Sequence, residues 1–145
     1  RPSFMRILML ALALSSLGGC AMWMPKPDPN QAWVDLAPHG ETELVAVAVD
    51  DKPLDDSRYF QVEPGSHQLG MRYRFEVGPA DVGRDSEALA RDCRLTLSYD
   101  SFNAGARYRL EAGGYGFRPW AKLYDQHDRV LAKATERGCG GVATR

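Results

Sequence analysis

From Gln31 onward, apolar and polar residues alternate in short runs separated by turn residues, and a repeat of 3.6 scarcely occurs. A period of two turns one face of a strand toward a core and leaves the other in water. The pattern predicts strands over 32–36, 43–49, 58–62, 67–77, 93–99, 107–112, 120–124 and 129–134. The fourth is the clearest: Leu69, Met71, Tyr73, Phe75 and Val77 take one phase, and Gln68, Gly70, Arg72, Arg74 and Glu76 the other. Cys93, Leu95, Leu97 and Tyr99 alternate in the same way with Arg94, Thr96 and Ser98, which puts Cys93 on the inner phase. The expected fold is all-β, a single antiparallel β-sandwich of about seven or eight strands.

Turn chemistry sets the boundaries. Pro64-Gly65 suits the central positions of a type II turn, proline fixing the first φ and glycine taking the positive second one. A hairpin from Tyr59 to Tyr73 is expected around it. Residues 50–56, 103–105 and 125–128 join other strands. Residues 78–92 form the long connection, charged, with a single helical turn expected around 86–91, and its length and polarity mark it as the mobile part.

Ahead of this region the pattern changes character. Met5 and Arg6 give a positive start, Ile7 to Leu14 are uniformly apolar, and Ser15 to Gly19 are small. That is the layout of an export signal. Its apolar run of about eight residues falls well short of the roughly 20 that span a bilayer as a helix. Arg1 to Phe4 precede Met5, which we read as the true start. Leu17-Gly18-Gly19-Cys20 resembles the lipobox of bacterial lipoproteins. The resemblance implies cleavage between Gly19 and Cys20, a diacylglyceryl group on the Cys20 thiol, and a further acyl chain such as palmitate on the new amine. Two or three chains, at about 0.8 kcal/mol per buried CH2, hold a protein on a membrane surface. In the resembled lipoproteins an aspartate after the cysteine favours retention at the inner membrane, so Ala21 there implies the outer membrane, with the domain facing the periplasm. The expected organisation is therefore a signal peptide over 1–19, a lipidated cysteine and proline-rich tether over 20–30, and one β domain over 31–145. Pro25, Pro27 and Pro29 favour an extended spacer, and Trp23, between Met22 and Met24, suits a membrane interface.

With Cys20 given to lipid, Cys93 and Cys139 are left as a pair in an oxidising compartment, where disulfides persist. We expect them to bond. Two thiolates without a clustered histidine pair are too few for a closed zinc site, so neither metal nor cofactor is expected. Losing Arg1 and Arg6 with the leader moves the formal net charge from −1 to −3. Such a balance argues against nucleic acid, whose phosphates need a dense basic surface.

The run Val62-Glu63-Pro64-Gly65-Ser66-His67-Gln68-Leu69 resembles PEGA-type β-sandwich modules. Together with Gln31-Ala32-Trp33-Val34-Asp35-Leu36 and Ala106-Arg107-Tyr108-Arg109-Leu110, it is similar to a group of pseudomonad lipoproteins. Modules of this kind sit in envelope and surface proteins, and no catalytic residues come with them.

Catalytic patterns are absent from the sequence. There is no Gly-x-Ser-x-Gly, no cysteine with a neighbouring histidine, no phosphate loop and no dinucleotide fingerprint. The catalytic set is expected to be empty and the protein not to be an enzyme. His39, His67 and His127 are read as turn or surface residues, and Asp50, Asp51, Asp55 and Asp56 as a solvated turn rather than a Ca²⁺ loop. Two groups make the candidate ligand surface. Arg72, Arg74, Arg94, Arg107 and Arg109 share the outward phase of three strands and would form one basic stripe if those strands were neighbours. Guanidinium suits phosphate and carboxylate, so an anionic envelope polymer is one partner, while cross-strand pairing with Glu76 and Glu111 is the plainer expectation. Tyr115, Phe117 and Trp120 load a glycine-rich loop, expected to fold over the end of the core, with a shallow recognition surface as the alternative. The expected function is a lipid-anchored, non-catalytic binding or scaffolding module with an envelope polymer or protein as partner. An accessory subunit of an envelope or secretion assembly is the second reading, and a periplasmic enzyme the third.

Overall fold

Apolar alternation builds two sheets that share one core. The structure is a computed structural model and describes residues 23–77 and 89–141. Among these, ten strands occur and no helix: β1 (Ala32–Pro38), β2 (Glu43–Val49), β3 (Lys52–Pro53), β4 (Tyr59–Val62), β5 (Gly65–Val77), β6 (Leu89–Phe102), β7 (Arg107–Tyr115), β8 (Arg118–Tyr124), β9 (Val130–Lys133) and β10 (Thr135–Gly141). One five-stranded sheet runs β4-β1-β7-β8-β9, the other β10-β6-β5-β2-β3. Inward residues of both, among them Val34, Phe60, Leu110 and Leu123 from the first and Leu69, Met71, Leu95 and Leu97 from the second, form one buried cluster.

All eight expected strands are present, and two more join them. β3 is a two-residue pairing with β2, and β10 is the glycine-rich C-terminal segment paired with β6. The inner phase of β5 is as read from the sequence, with Leu69, Met71, Tyr73, Phe75 and Val77 all buried.

Three expectations are corrected. The first concerns the Pro64-Gly65 turn, where Gly65 does adopt a positive φ of 113° but the flanking strands do not pair. β4 pairs with β1, whereas β5 has β2 on one side and β6 on the other, so both its edges are taken and the turn carries the chain between sheets. The second is the purely antiparallel arrangement: β1 and β7 run parallel, from Trp33 opposite Arg107 to Pro38 opposite Ala112. Parallel neighbours need a long connection, and here most of the chain supplies it. The third is the helical turn around 86–91, since β6 begins at Leu89, with Leu89 opposite Val77. The rest of that turn, the long connection over 78–88, and Gly19 and Cys20 lie outside the described residues.

The crossover from β6 to β7 is pinned by Tyr108, whose buried hydroxyl accepts a hydrogen bond from the Asn103 amide at 2.9 Å. The proline-rich segment lies against the edge strand β4. Asp28 donates its backbone N–H to Gln61 Oε1 at 2.8 Å, and the Arg58 guanidinium donates to the Trp23 carbonyl at 3.4 Å.

Candidate functional site

The five outward arginines divide between the two sheets, because β5 and β6 belong to one and β7 to the other. No single stripe forms. On β7, Arg107 donates through Nε to Asp35 at 2.7 Å, and Arg109 donates to Glu111 at 2.6 Å and to Asp128 at 3.0 Å. His39 adds a fourth contact, its Nε2 lying 2.8 Å from Glu111 Oε1. Burial alone would raise the Asp35 carboxyl, but hydrogen bonds from Arg107 and Trp33 bring it below its ordinary range. Hydrogen bonds from His39 and then Arg109 hold Glu111 low as well. This face of charges is neutralised from within.

The other sheet differs. Register aligns Val45, Arg72, Arg94 and Gly138 in one row across four strands, and Glu43, Arg74, Asp92 and Gly140 in the next. Asp92 accepts from Arg72 Nε and Nη2 as a bidentate pair and lies 3.5 Å from Arg74. One carboxylate thus serves two guanidinium groups. Arg94 forms no ion pair among the described residues, and neither does Arg137, whose Nε donates to Thr96 Oγ1 at 2.7 Å. Gly138 and Gly140 put no side chain beside these arginines, and a depression of about 540 Å³ opens there, lined by Arg72, Arg74, Asp92, Arg94, Gly138, Cys139 and Gly140. Arginine stays charged at any physiological pH and presents a fork of donors. The chemistry on offer is capture of a carboxylate or phosphate.

Under this face, Cys93 and Cys139 are direct cross-strand partners and are disulfide-bonded, with Cα atoms 4.0 Å apart. The bond ties β10 to β6.

The aromatic loop departs from the expected fold-over. Tyr115 is 86% exposed and Phe117 41% exposed, because they sit at the tip of the β7–β8 hairpin, where Gly116 takes a φ of 60° in the two-residue turn. Phe117 lies under the Arg91 guanidinium, 5.6 Å from ring centroid to Cζ. Only Trp120 packs down, on the outer face beside His39. A slot of about 290 Å³ lies between His39, Thr42, Tyr73, Phe75 and Trp120, and the buried Tyr73 hydroxyl has no hydrogen-bond partner among the described residues.

Two of the four acids of the 50–56 turn are engaged locally. Asp50 accepts from the Gln68 amide at 2.8 Å and lies 2.6 Å from His67 Nδ1, and Asp56 pairs with Arg58 at 2.7 Å. His39 and His67 each have their own acidic neighbour, Glu111 and Asp50. Among the described residues no group of three or more His, Cys, Asp or Glu side chains is placed to hold a metal ion.

Arg137, Gly138 and Gly140 escaped the sequence reading. The run Gly138-Cys139-Gly140-Gly141 was the available signal, since glycines around a cysteine in a strand mark a place where backbone is left bare. Comparison with protein families, curated proteins and solved structures finds no match to this chain.

Proposed function

We propose that this chain is a lipid-anchored envelope protein whose two sheets form a β-sandwich, and that the sandwich works without catalysis, as a binding or scaffolding module for an anionic partner. Anchoring rests on the lipobox resemblance at Leu17-Gly18-Gly19-Cys20 and gains support from Trp23 and Met24, 75% and 45% exposed a few residues beyond the cysteine. Exposed indole and thioether close to a lipidated residue suit the interfacial zone of a membrane. The outer membrane, facing the periplasm, is the proposed location.

The observation that carries the binding role is the unequal neutralisation of the two arginine sets. Arg107 and Arg109 meet three acids within 3.0 Å, while Arg72 and Arg74 share Asp92 and, with Arg94, line an open depression. Labelled palmitate fed to producing cells should enter the protein, and Cys20→Ser should abolish incorporation. Retention of the purified protein on phosphocellulose should fall sharply when Arg72, Arg74 and Arg94 are changed together to Ser and little when Arg107 and Arg109 are. Equal loss from both sets would remove the assignment to this face. The second reading, an accessory subunit of an envelope assembly, is favoured by the edge of β10, which among the described residues pairs with β6 alone.

A further inference from the structure

The four sheet edges are treated unequally. β3 has two residues, β4 and β9 four each, and β10 seven. β4 has the segment from Trp23 to Asn30 against it. The β2 edge beyond β3 is closed by backbone bonds from Ala46 to Ser57 and from Leu54 to Val47. β10 pairs with β6 alone, and among the described residues no backbone bond reaches its other side. Long free edges invite another strand, and proteins generally cover or blunt them. The bulge between Glu136 and Gly138 blunts only the start of β10, since Gly138 to Gly141 remain in regular register with Arg94 to Arg91.

Composition sharpens the point. Gly138, Gly140 and Gly141 give β10 little intrinsic tendency to stay extended, because glycine loses the most freedom on ordering and packs no side chain. The Cys93–Cys139 bond fixes the strand in the middle of that run. A clamp is therefore spent on the edge strand and not between the sheets. The glycines also leave no side chain between Arg94 or Asp92 and whatever lies beyond β10. Strands are spaced about 4.8 Å apart, so a strand added there would place its outward side chains within reach of Arg94 and Arg137.

We infer that the free edge of β10 accepts an extended segment of a partner protein as a sixth strand of this sheet, and that the segment carries acidic side chains at alternate positions. Main-chain pairing supplies the fit and the arginines select the charge. A second copy of this chain is the poorer occupant, because edge-to-edge pairing would bring two sets of Arg94 and Arg137 to one seam. Glu136, the acid of β10, stands ahead of the bulge and clear of the Arg94 row. The inference rests on reading the arginine face as an anion site.

The test titrates the whole chain, in detergent, with three labelled synthetic peptides, read by fluorescence anisotropy. One alternates Glu with Thr and Val, the second has Lys for Glu, and the third keeps Glu but is N-methylated at alternate backbone nitrogens. The first should bind saturably, and the other two about tenfold or more weakly. Arg94→Glu with Arg137→Glu should weaken the first peptide by about tenfold with an unchanged melting temperature. Amide exchange should slow in β10 and not in β9. Equal binding of the N-methylated peptide overturns strand pairing while leaving the anion site intact. Phosphocellulose retention left unchanged when Arg72, Arg74 and Arg94 are changed together to Ser removes the anion reading instead. No binding of the first peptide, or β10 protection that tracks dimer formation in sedimentation, also overturns the inference.

Discussion

Gly113 and Trp120 are cross-strand partners, and the indole lies so close over the glycine that a Cβ there would come within 2.6 Å of the ring. His39 meets the same ring edge-on at 4.8 Å, and the Lys122 ammonium stands 5.5 Å from it. Gly113→Ala should displace Trp120 and cost about 1–3 kcal/mol, read by chemical denaturation together with a change in tryptophan emission. Gly116→Ala, in the hairpin turn where nothing lies near the added methyl, should leave that emission unchanged.

Glu111 ties His39 to Arg109, and its carboxyl is held below the ordinary glutamate range by those two hydrogen bonds. A carboxyl with a lowered folded-state pKa contributes stability above its unfolded value of about 4.3 and loses it as pH falls through the folded value. Glu111→Gln should therefore cost on the order of 1 kcal/mol at neutral pH. The difference from wild type should shrink as the pH drops below about 4. Parallel urea titrations at several pH values read it directly, and a constant difference across that window would contradict the assignment.

Removing the disulfide frees a loop of 46 positions. In the chain-entropy account a loop of this size is worth about 4 kcal/mol, and engineered cases deliver less. Cys93→Ala with Cys139→Ala should lower stability by about 2–4 kcal/mol. Since the bond joins β10 to its neighbour within one sheet, the amides of β10 should become the first to exchange, while those of β5 stay protected.

Trp33 is buried at 2% exposure on the face of β1 opposite Ala32 and Val34, outside the shared core. Tyr59 stacks on it at 4.2 Å, Arg107 caps the ring at 5.9 Å, and its indole N–H donates to Asp35 at 2.9 Å. Trp33→Ala should cost about 3–5 kcal/mol. Tyr59→Leu, which keeps apolar bulk but loses the stack, should cost about 0.5–1.5 kcal/mol.

Period-two alternation made the inner faces of β5, β6 and β7 readable residue by residue, because burial acts on each side chain separately. Partnership between strands left no such mark. Tyr59 to Tyr73 reads as a hairpin locally, yet both edges of β5 are claimed by strands distant in sequence. For the same reason Arg107 and Arg109 share the phase of Arg72, Arg74 and Arg94 but not their surface. β10 was missed because Gly138, Gly140 and Gly141 have no side chains to alternate. Trp33 stands in an apolar run where alternation is not visible, and its cross-strand neighbours Gln61 and Arg107 reveal the second face.

The parallel pairing of β1 with β7 sets an order on assembly. Trp33 finds its register against Arg107, so the first strand of the domain has no central neighbour until most of the chain has followed it. The sheet that holds β1 thus stays incomplete until β7 has followed, whereas β2, β5 and β6 of the other can pair before it.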